Sequence, residues 1–439
     1  METLNKKYAT AVTVGCRLNQ TDTALIFDQL IKNGFEIVKH DEDKELSVII
    51  INTCTVTASA SQKSRQYARS LKRKHPNALI LVTGCDVDTE EASWKKEPDI
   101  DVLVTNKNKD KIIEFILDKF KDKPPSPLVD ATSRKNFKIN NTGYYPFKSR
   151  ANIKIQTGCD MYCTYCIVPY GRGSSASREW NDTLGEFKAL VEKGHNEIVL
   201  TGVNIATYFD NGRNLIDLLE QFVAVDGDFR IRLSSTEPQF QMDGLLDLMK
   251  STSKICRFLH LPIQHASDKI LKSMGRRYTV DTFTRFVHEA IEKIPEICIG
   301  SDFIVGFPGE TEELFKEACD NLMKLPFAYL HIFPYSKRKG TPAAEYPNQI
   351  QSKIISERHK FLSKESEKLS MNFLKKQIGT DVKVLIEEYN DGFLKGWSDN
   401  YINVNITADL NSSLKNRFCN VHLTEIIGKR KVIGSLIND

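Results

Sequence analysis

Apolar runs of four to eight residues recur along this chain, each followed by a segment of helical periodicity, and that alternation restricts the fold more than any other property of the sequence. Strands are predicted over 9–14, 48–52, 79–83 and 101–105, with helices over 21–33, 59–74 and 108–120, the pattern of a parallel sheet with helices on its faces. A polar, proline-bearing stretch, "KDKPPSPLVDATSRKNFKINNTGYYP", breaks both periodicities and reads as a linker. Six further apolar strands follow, near Ala151, Ile198, Phe229, Phe258, Cys298 and Ala328. Six βα repeats predict an incomplete TIM-like barrel whose reactive face lies at the C-terminal ends of its strands, with a doubly wound sheet as the other permitted topology. A charged helix over 352–377 comes next, and five short strands after Gly379 ("DVKVLIEE", "GFLKGWS", "YINVNIT", "RFCNVHLTEI", "KVIGSL") predict a small all-β barrel or sandwich. The expected class is α/β, divided into a parallel-sheet domain over 1–120, a linker over 121–149, a partial (βα)6 barrel over 150–375 and a small all-β barrel over 376–439.

A chain of 439 residues has the length of roughly two to four domains. Apolar residues at 41% and charged residues at 27% fit a soluble globular protein, and no apolar run approaches the ~18 residues of a membrane span. The N-terminus lacks the long apolar segment of a secretory signal, so a cytoplasmic protein is expected. In a reducing compartment ten cysteines point to metal ligands, catalytic thiols or core residues before disulfides. The net charge of +4 argues only weakly for a polyanionic partner, and the basic runs at 63–75, 276–278, 337–339 and 429–431 each read singly as solvated faces.

Two cysteine sets stand out. In "GCDMYCTYCIVPYGRG", Cys159, Cys163 and Cys166 follow the first strand of the predicted barrel and find no fourth ligand nearby. Structural zinc closes a tetrahedron with four ligands, whereas a four-iron cluster held by three thiolates keeps one iron open for a chelating small molecule. The second set, Cys16, Cys54 and Cys85, is dispersed, yet each cysteine directly follows a predicted strand, and in a parallel sheet those positions share one edge. Three thiolates converging there would hold a second cluster; three buried core cysteines are the other reading. Cys256, Cys298, Cys319 and Cys419 show no mutual spacing and read as core or incidental.

Cys-x-x-x-Cys-x-x-Cys after a first barrel strand resembles the radical S-adenosylmethionine (SAM) signature, with Tyr165 in the place of an aromatic set against the adenine. With the second set, and with "NTCTVT", "TGVNI", "LHLPIQ", "RRYT" and "DFIVGFPGET", nearly the whole chain resembles the methylthiotransferase family of radical SAM enzymes. "GCRLNQTD" and "GCDMYCTYCIVPYGRG" are most similar to its MtaB-type branch, which acts on N6-threonylcarbamoyladenosine beside the tRNA anticodon. His265 and Ala266 stand where the family often has Ser-Gly, and Lys339 where proline is frequent.

The resemblance implies a methylthiotransferase domain with an auxiliary [4Fe-4S] cluster at Cys16, Cys54 and Cys85, a radical SAM barrel whose [4Fe-4S] cluster at Cys159, Cys163 and Cys166 is catalytic, and a C-terminal TRAM domain for RNA. It further implies SAM as cofactor, a tRNA anticodon stem-loop as partner, a reductant such as flavodoxin or ferredoxin, a sulfur source and no membrane. Other acceptors for the same chemistry are isopentenyl-type adenosine in tRNA and an aspartate of a ribosomal protein; a non-enzymatic RNA-binding protein with structural zinc is the reading from another class. The adenine C2 hydrogen has no useful acidity, so positioned bases alone do not remove it and radical chemistry is called for. Candidate SAM contacts at strand ends are Gly202, Asn204, Ser234, Glu237 and Gln264, with Arg178 for the cofactor carboxylate; "TGVN" as a plain turn and "STEP" as a helix cap are the bland alternatives. His260 and His265 read as structural or polar lining residues. Phe393, Trp397 and Tyr401, interleaved with Lys395 and followed by 429–431, suit base stacking or simply the core of a small barrel.

Overall fold

The computed structural model describes residues 7–121, 136–140, 142–145, 149–237, 242–390, 392–407, 414–428 and 430–437. Most of the segment read as a linker, and Lys429 of the last basic run, lie outside the described residues. The N-terminal part is a parallel sheet of five strands in the order Phe35–Ile37, Lys7–Thr13, Leu46–Thr53, Leu79–Gly84, Val102–Val104. Its central strands are apolar on both faces, as helices on both sides require: Val48 to Ile51 and Ile80 to Val82 are buried. The three-residue edge strand Phe35–Ile37 escapes sequence reading because it is too short to show a period.

The middle of the chain carries six parallel strands in two groups of three. Arg150–Lys154, Glu197–Thr201 and Arg230–Leu233 form one group, and Phe258–His260, Cys298–Val305 and Tyr329–Pro334 the other. Isolated bridges from Ile231 to Ile255 and from Ser235 to His260 join them into one curved wall, so the repeats make an open barrel. One face of this wall packs its apolar side chains under the helices Trp180–Glu192, Leu215–Val223, Val280–Lys293 and Glu312–Met323. The helix Arg17–Lys32 of the N-terminal part lies against the first two strands, with Thr21 Oγ1 3.1 Å from Thr201 Oγ1 at the end of the second. At the other margin Arg338, in the loop after the last strand, donates to Thr55 at 2.7 Å. Part of the segment read as a linker over 121–149 is tied down: Asn136–Phe137 pairs in parallel with Ser177 and Arg178.

The C-terminal strands Asp381–Asn390, Phe393–Ser398, Asn403–Thr407, Phe418–Ile427 and Lys431–Leu436 close into a barrel, preceded by the helix Ser352–Lys375. It docks on the opening ends of the central strands through buried arginines. Glu197, fully buried, takes Arg230 and Arg232 at 2.7 Å each, and those arginines spend their other donors on the carbonyls of Trp397, Ser398 and Asp399. Burial alone would raise the Glu197 carboxyl, but the arginines hold it well below the usual carboxylate range.

Candidate active site

Both thiol sets are built from strand exits. Cys16 and Cys85 each follow a glycine in the left-handed region, Gly15 at φ 101° and Gly84 at φ 105°, which lets the chain turn sharply off its strand. A side chain at Gly15 would stand 2.7 Å from the Cys54 sulfur, so that glycine also makes room for the neighbouring thiol. Burial pushes the Cys54 thiol up to about 12, and repulsion from Cys16 and Cys85 adds to it, so the three sulfurs share one neighbourhood. Cys16 is exposed, while Cys54 and Cys85 are buried.

Cys159, Cys163 and Cys166 lie in the loop between the short strand Gln156–Thr157 and the helix Val168–Arg172. Burial raises Cys159 to about 11 and Cys166 to about 12, each with a further push from Cys163. Among the described residues no group of three or more Cys, His, Asp or Glu side chains is gathered tightly enough to hold a single metal ion.

The helix that follows the second set packs on the first set. A side chain at Gly171 would stand 3.3 Å from Cβ of Cys85, and the Arg172 guanidinium reaches into the first set. Burial alone would disfavour its charge, but Cys85, Asp22 and Cys16 hold it and raise its pKa. Asp22, buried, faces three cations, Lys109 at 2.9 Å, Lys154 at 2.9 Å and Arg172 at 3.2 Å. Burial would raise this carboxyl; the three cations lower it far below its ordinary value.

On the other side of the second set lie the strand ends predicted to receive a cofactor. Asn204 is 3% exposed, and neither its side-chain oxygen nor its nitrogen has a hydrogen-bond partner in the structure. The Ser234 hydroxyl, on the next strand end, is likewise buried and unpartnered. Such groups cost free energy unless a ligand completes them. Gly202 closes its turn over Gln156, whose Oε1 accepts from the amides of Val203 at 2.8 Å and Asn204 at 3.1 Å and whose Nε2 donates to the Gly158 carbonyl at 2.8 Å. Gln156, which sequence reasoning missed, thus ties this turn to the cysteine loop. Gln264 sits at φ 63°, a strained conformation for a residue with a side chain, between backbone bonds to Asp302 and Ile304. Tyr165 is packed near Arg276, Cys163 and Tyr278.

Arg178 is a correction. It is fully buried, and its guanidinium is committed to Asp182 at 2.6 Å and to Glu186 on the helix that follows, which leaves no reach toward a cofactor carboxylate. The buried cation beside the second thiol set is Arg276, which the sequence offered only as part of a basic run. Its Nη1 donates to the Cys163 sulfur at 3.4 Å, its Nη2 lies 2.7 Å from Glu237, and Tyr278 braces it at 3.0 Å. Trp397 and Tyr401 are not open stacking platforms: their rings stack at 4.6 Å, and Tyr401 packs on Phe258 at 4.6 Å in the seam with the central barrel. His265 is structural, paired with buried Glu310 at 3.1 Å, whereas His260 lies on the open side of the wall, 3.1 Å from Asp302.

Comparison with known proteins places this geometry. Residues 153–322 match the Radical SAM superfamily, and residues 8–105 match a second family described as Uncharacterized protein family UPF0004. Each match contains one complete thiol set. The chain is 34% identical over 395 residues to the threonylcarbamoyladenosine tRNA methylthiotransferase MtaB of Aquifex aeolicus (strain VF5), covering 89% of this chain and 95% of that protein. The chain belongs to the radical SAM tRNA methylthiotransferase family. The MtaB of Chlamydia pneumoniae is 34% identical, with 95% of this chain and 97% of that protein covered. The tRNA-2-methylthio-N(6)-dimethylallyladenosine synthase of Francisella tularensis subsp. novicida (strain U112) is also 34% identical, with 94% and 95% covered. Among solved structures, the radical SAM methyltransferase TsrM of Kitasatospora setae shares the methylthiotransferase's fold at a TM-score of 0.56 and 16% identity, over 77% of this chain and 75% of that one. No helix among the described residues is long and apolar enough to cross a membrane.

Proposed function

We propose that this methylthiotransferase places sulfur and a methyl group on C2 of N6-threonylcarbamoyladenosine at tRNA position 37. The single observation that carries the two-centre chemistry is the packing of the helix after the second thiol set on the first set, with Gly171 against Cys85 and the Arg172 charge felt by Cys16 and Cys85. The division into 1–120, a linker over 121–149, 150–375 and 376–439 gives each centre its own domain and leaves the closing barrel for RNA. Relatives named for the threonylcarbamoyl substrate and relatives named for the dimethylallyl one are both 34% identical, so the choice of the first acceptor rests on the blocks "GCRLNQTD" and "GCDMYCTYCIVPYGRG".

Cys159, Cys163 and Cys166 are assigned to the SAM-binding cluster and Cys16, Cys54 and Cys85 to the auxiliary one. The residues fit those groups by their chemistry: each set offers three thiols with no disulfide, and the orphaned Asn204 and Ser234 give a polar cofactor hydrogen-bond partners. When bound, a reduced four-iron cluster with SAM supplies a carbon radical able to take the unreactive hydrogen of an adenine ring, and a second cluster supplies sulfur.

The chain's own residues do the rest. Arg276 sets a buried guanidinium beside the second set, braced by Tyr278, and a cofactor carboxylate would exchange with Glu237 on it. Asn204 and Ser234 complete their hydrogen bonds on cofactor polar groups, and Tyr165 covers the adenine side. Gln156 fixes the spacing between this turn and the cysteine loop. Arg172 offsets the negative charge that thiolates and cluster accumulate at the first set. The enzyme acts in the cytoplasm, taking electrons from a flavodoxin or ferredoxin and sulfur from a separate donor. Nucleoside mass spectrometry of tRNA from a deletion strain tests the reading: loss of the methylthio form of threonylcarbamoyladenosine is expected, and its persistence sinks it.

A further inference from the structure

The open side of the central wall carries polar and aromatic groups that the chemistry above leaves unused. His260 Nδ1 lies 3.4 Å from the Tyr329 hydroxyl, and the Tyr329 ring is 4.9 Å from that of His331, which is exposed. Arg17 approaches this wall from the N-terminal part, as the first residue of the helix Arg17–Lys32 and the direct neighbour of Cys16, and its charge is felt at Tyr329.

Arg17 has no carboxylate within ion-pair distance among the described residues. Its Nη2 donates instead to the Tyr401 hydroxyl at 3.1 Å, with the guanidinium 5.9 Å from the ring centroid. A phenol aims a guanidinium without neutralising it, so the charge stays available. The support for that phenol is costly: Tyr401 sits at φ 63°, a strained backbone for a residue with a side chain, and its ring is clamped between Trp397 and Phe258 at 4.6 Å each. The C-terminal barrel therefore spends backbone strain to hold one arginine beside a thiol assigned to the sulfur-bearing centre.

We propose that Arg17 reads the carboxylate on the N6 substituent of the target adenosine, with Tyr401 as its positioning residue; this rests on the threonylcarbamoyl reading given above. A guanidinium meets a carboxylate with two parallel N–H donors, and a dimethylallyl group gives it nothing to bind. An unpaired cation facing an apolar substituent is penalised, so the same residue would select for one acceptor and against the other.

The test measures binding of anticodon stem-loops to metal-free and to reconstituted full-length protein by fluorescence anisotropy. One RNA carries threonylcarbamoyladenosine and a second carries its uncharged methyl ester. The wild type is expected to prefer the acid by about tenfold or more, as charge-assisted hydrogen bonds allow. Arg17→Gln should erase that preference while ester binding is unchanged, Arg17→Lys should keep part of it, and Tyr401→Phe should weaken it. Melting curves and elution volumes matching the wild type exclude a folding defect. Equal weakening of both RNAs by Arg17→Gln would mark a phosphate contact and overturn the proposal, as would an undiminished preference. If the wild type makes the methylthio form of threonylcarbamoyladenosine and still fails these tests, Arg17 alone is refuted. If it makes none and shows no preference for the acid, the substrate reading falls and the proposal with it.

Discussion

Arg276 Nη1 donates to the sulfur of Cys163 at 3.4 Å although 113 residues separate the two in the chain. The contact sets a buried guanidinium beside one of the three thiols of the second set, paired there with the Glu237 carboxylate, with which a cofactor carboxylate would have to exchange.

Arg276→Gln should weaken SAM binding by about tenfold or more, since a charge-assisted pair is lost, and Arg276→Lys should recover part of it. Equilibrium dialysis with the reconstituted enzyme measures this. An unchanged affinity in both variants would remove Arg276 from the cofactor site.

Asn204→Leu should separate stability from binding. Replacing a buried amide that has no partner with an apolar group of similar size should leave folding stability unchanged or raise it by about 1 kcal/mol, while SAM affinity falls about tenfold. Urea unfolding of the metal-free protein gives the first quantity and dialysis the second. Parallel losses in both would show that Asn204 serves packing alone.

Triple alanine replacement of Cys159, Cys163 and Cys166 should leave about half the iron and sulfide of anaerobically reconstituted wild type, and so should replacement of Cys16, Cys54 and Cys85. Full retention, or total loss, in either variant would contradict two independent clusters.

Asp22→Asn strands three cations around a neutral amide and should cost about 3–5 kcal/mol. Because the folded carboxyl titrates below its ordinary value, its contribution is complete at neutral pH and is lost only as the pH falls below about 4, where the unfolded carboxylate takes up its proton. The stability gap between wild type and variant should therefore be flat from pH 8 to about 5 and narrow under acid. A gap that opened or closed near neutrality would assign it to another group.

The strands, the open barrel and the closing β-barrel were legible because each announces itself by local period, and the tight cysteine loop because its spacing is contiguous. The dispersed thiols were readable for a related reason: Cys16, Cys54 and Cys85 follow strands, and parallel strands align their ends. Arg178 was misread because its acidic partners, Asp182 and Glu186, are near in sequence yet look like ordinary positions of a surface helix. Arg276, Gln156 and Arg172 stayed hidden since nothing in their neighbourhoods names a partner far along the chain. Trp397 and Tyr401 have the composition of a nucleic-acid face, and only the docking of the last barrel shows that these rings are spent on a seam.

Arg172 stands six residues after Cys166 on a continuous loop and helix, and its side chain touches the environment of Cys16 and Cys85. The two centres are thus bridged by a short length of backbone and the buried pair that ends it, Arg172 with Asp22 at 3.2 Å. Breathing of one body against the other would have to break that pair before it widened the gap, so the reacting distance is held against the motions by which a large RNA enters and leaves.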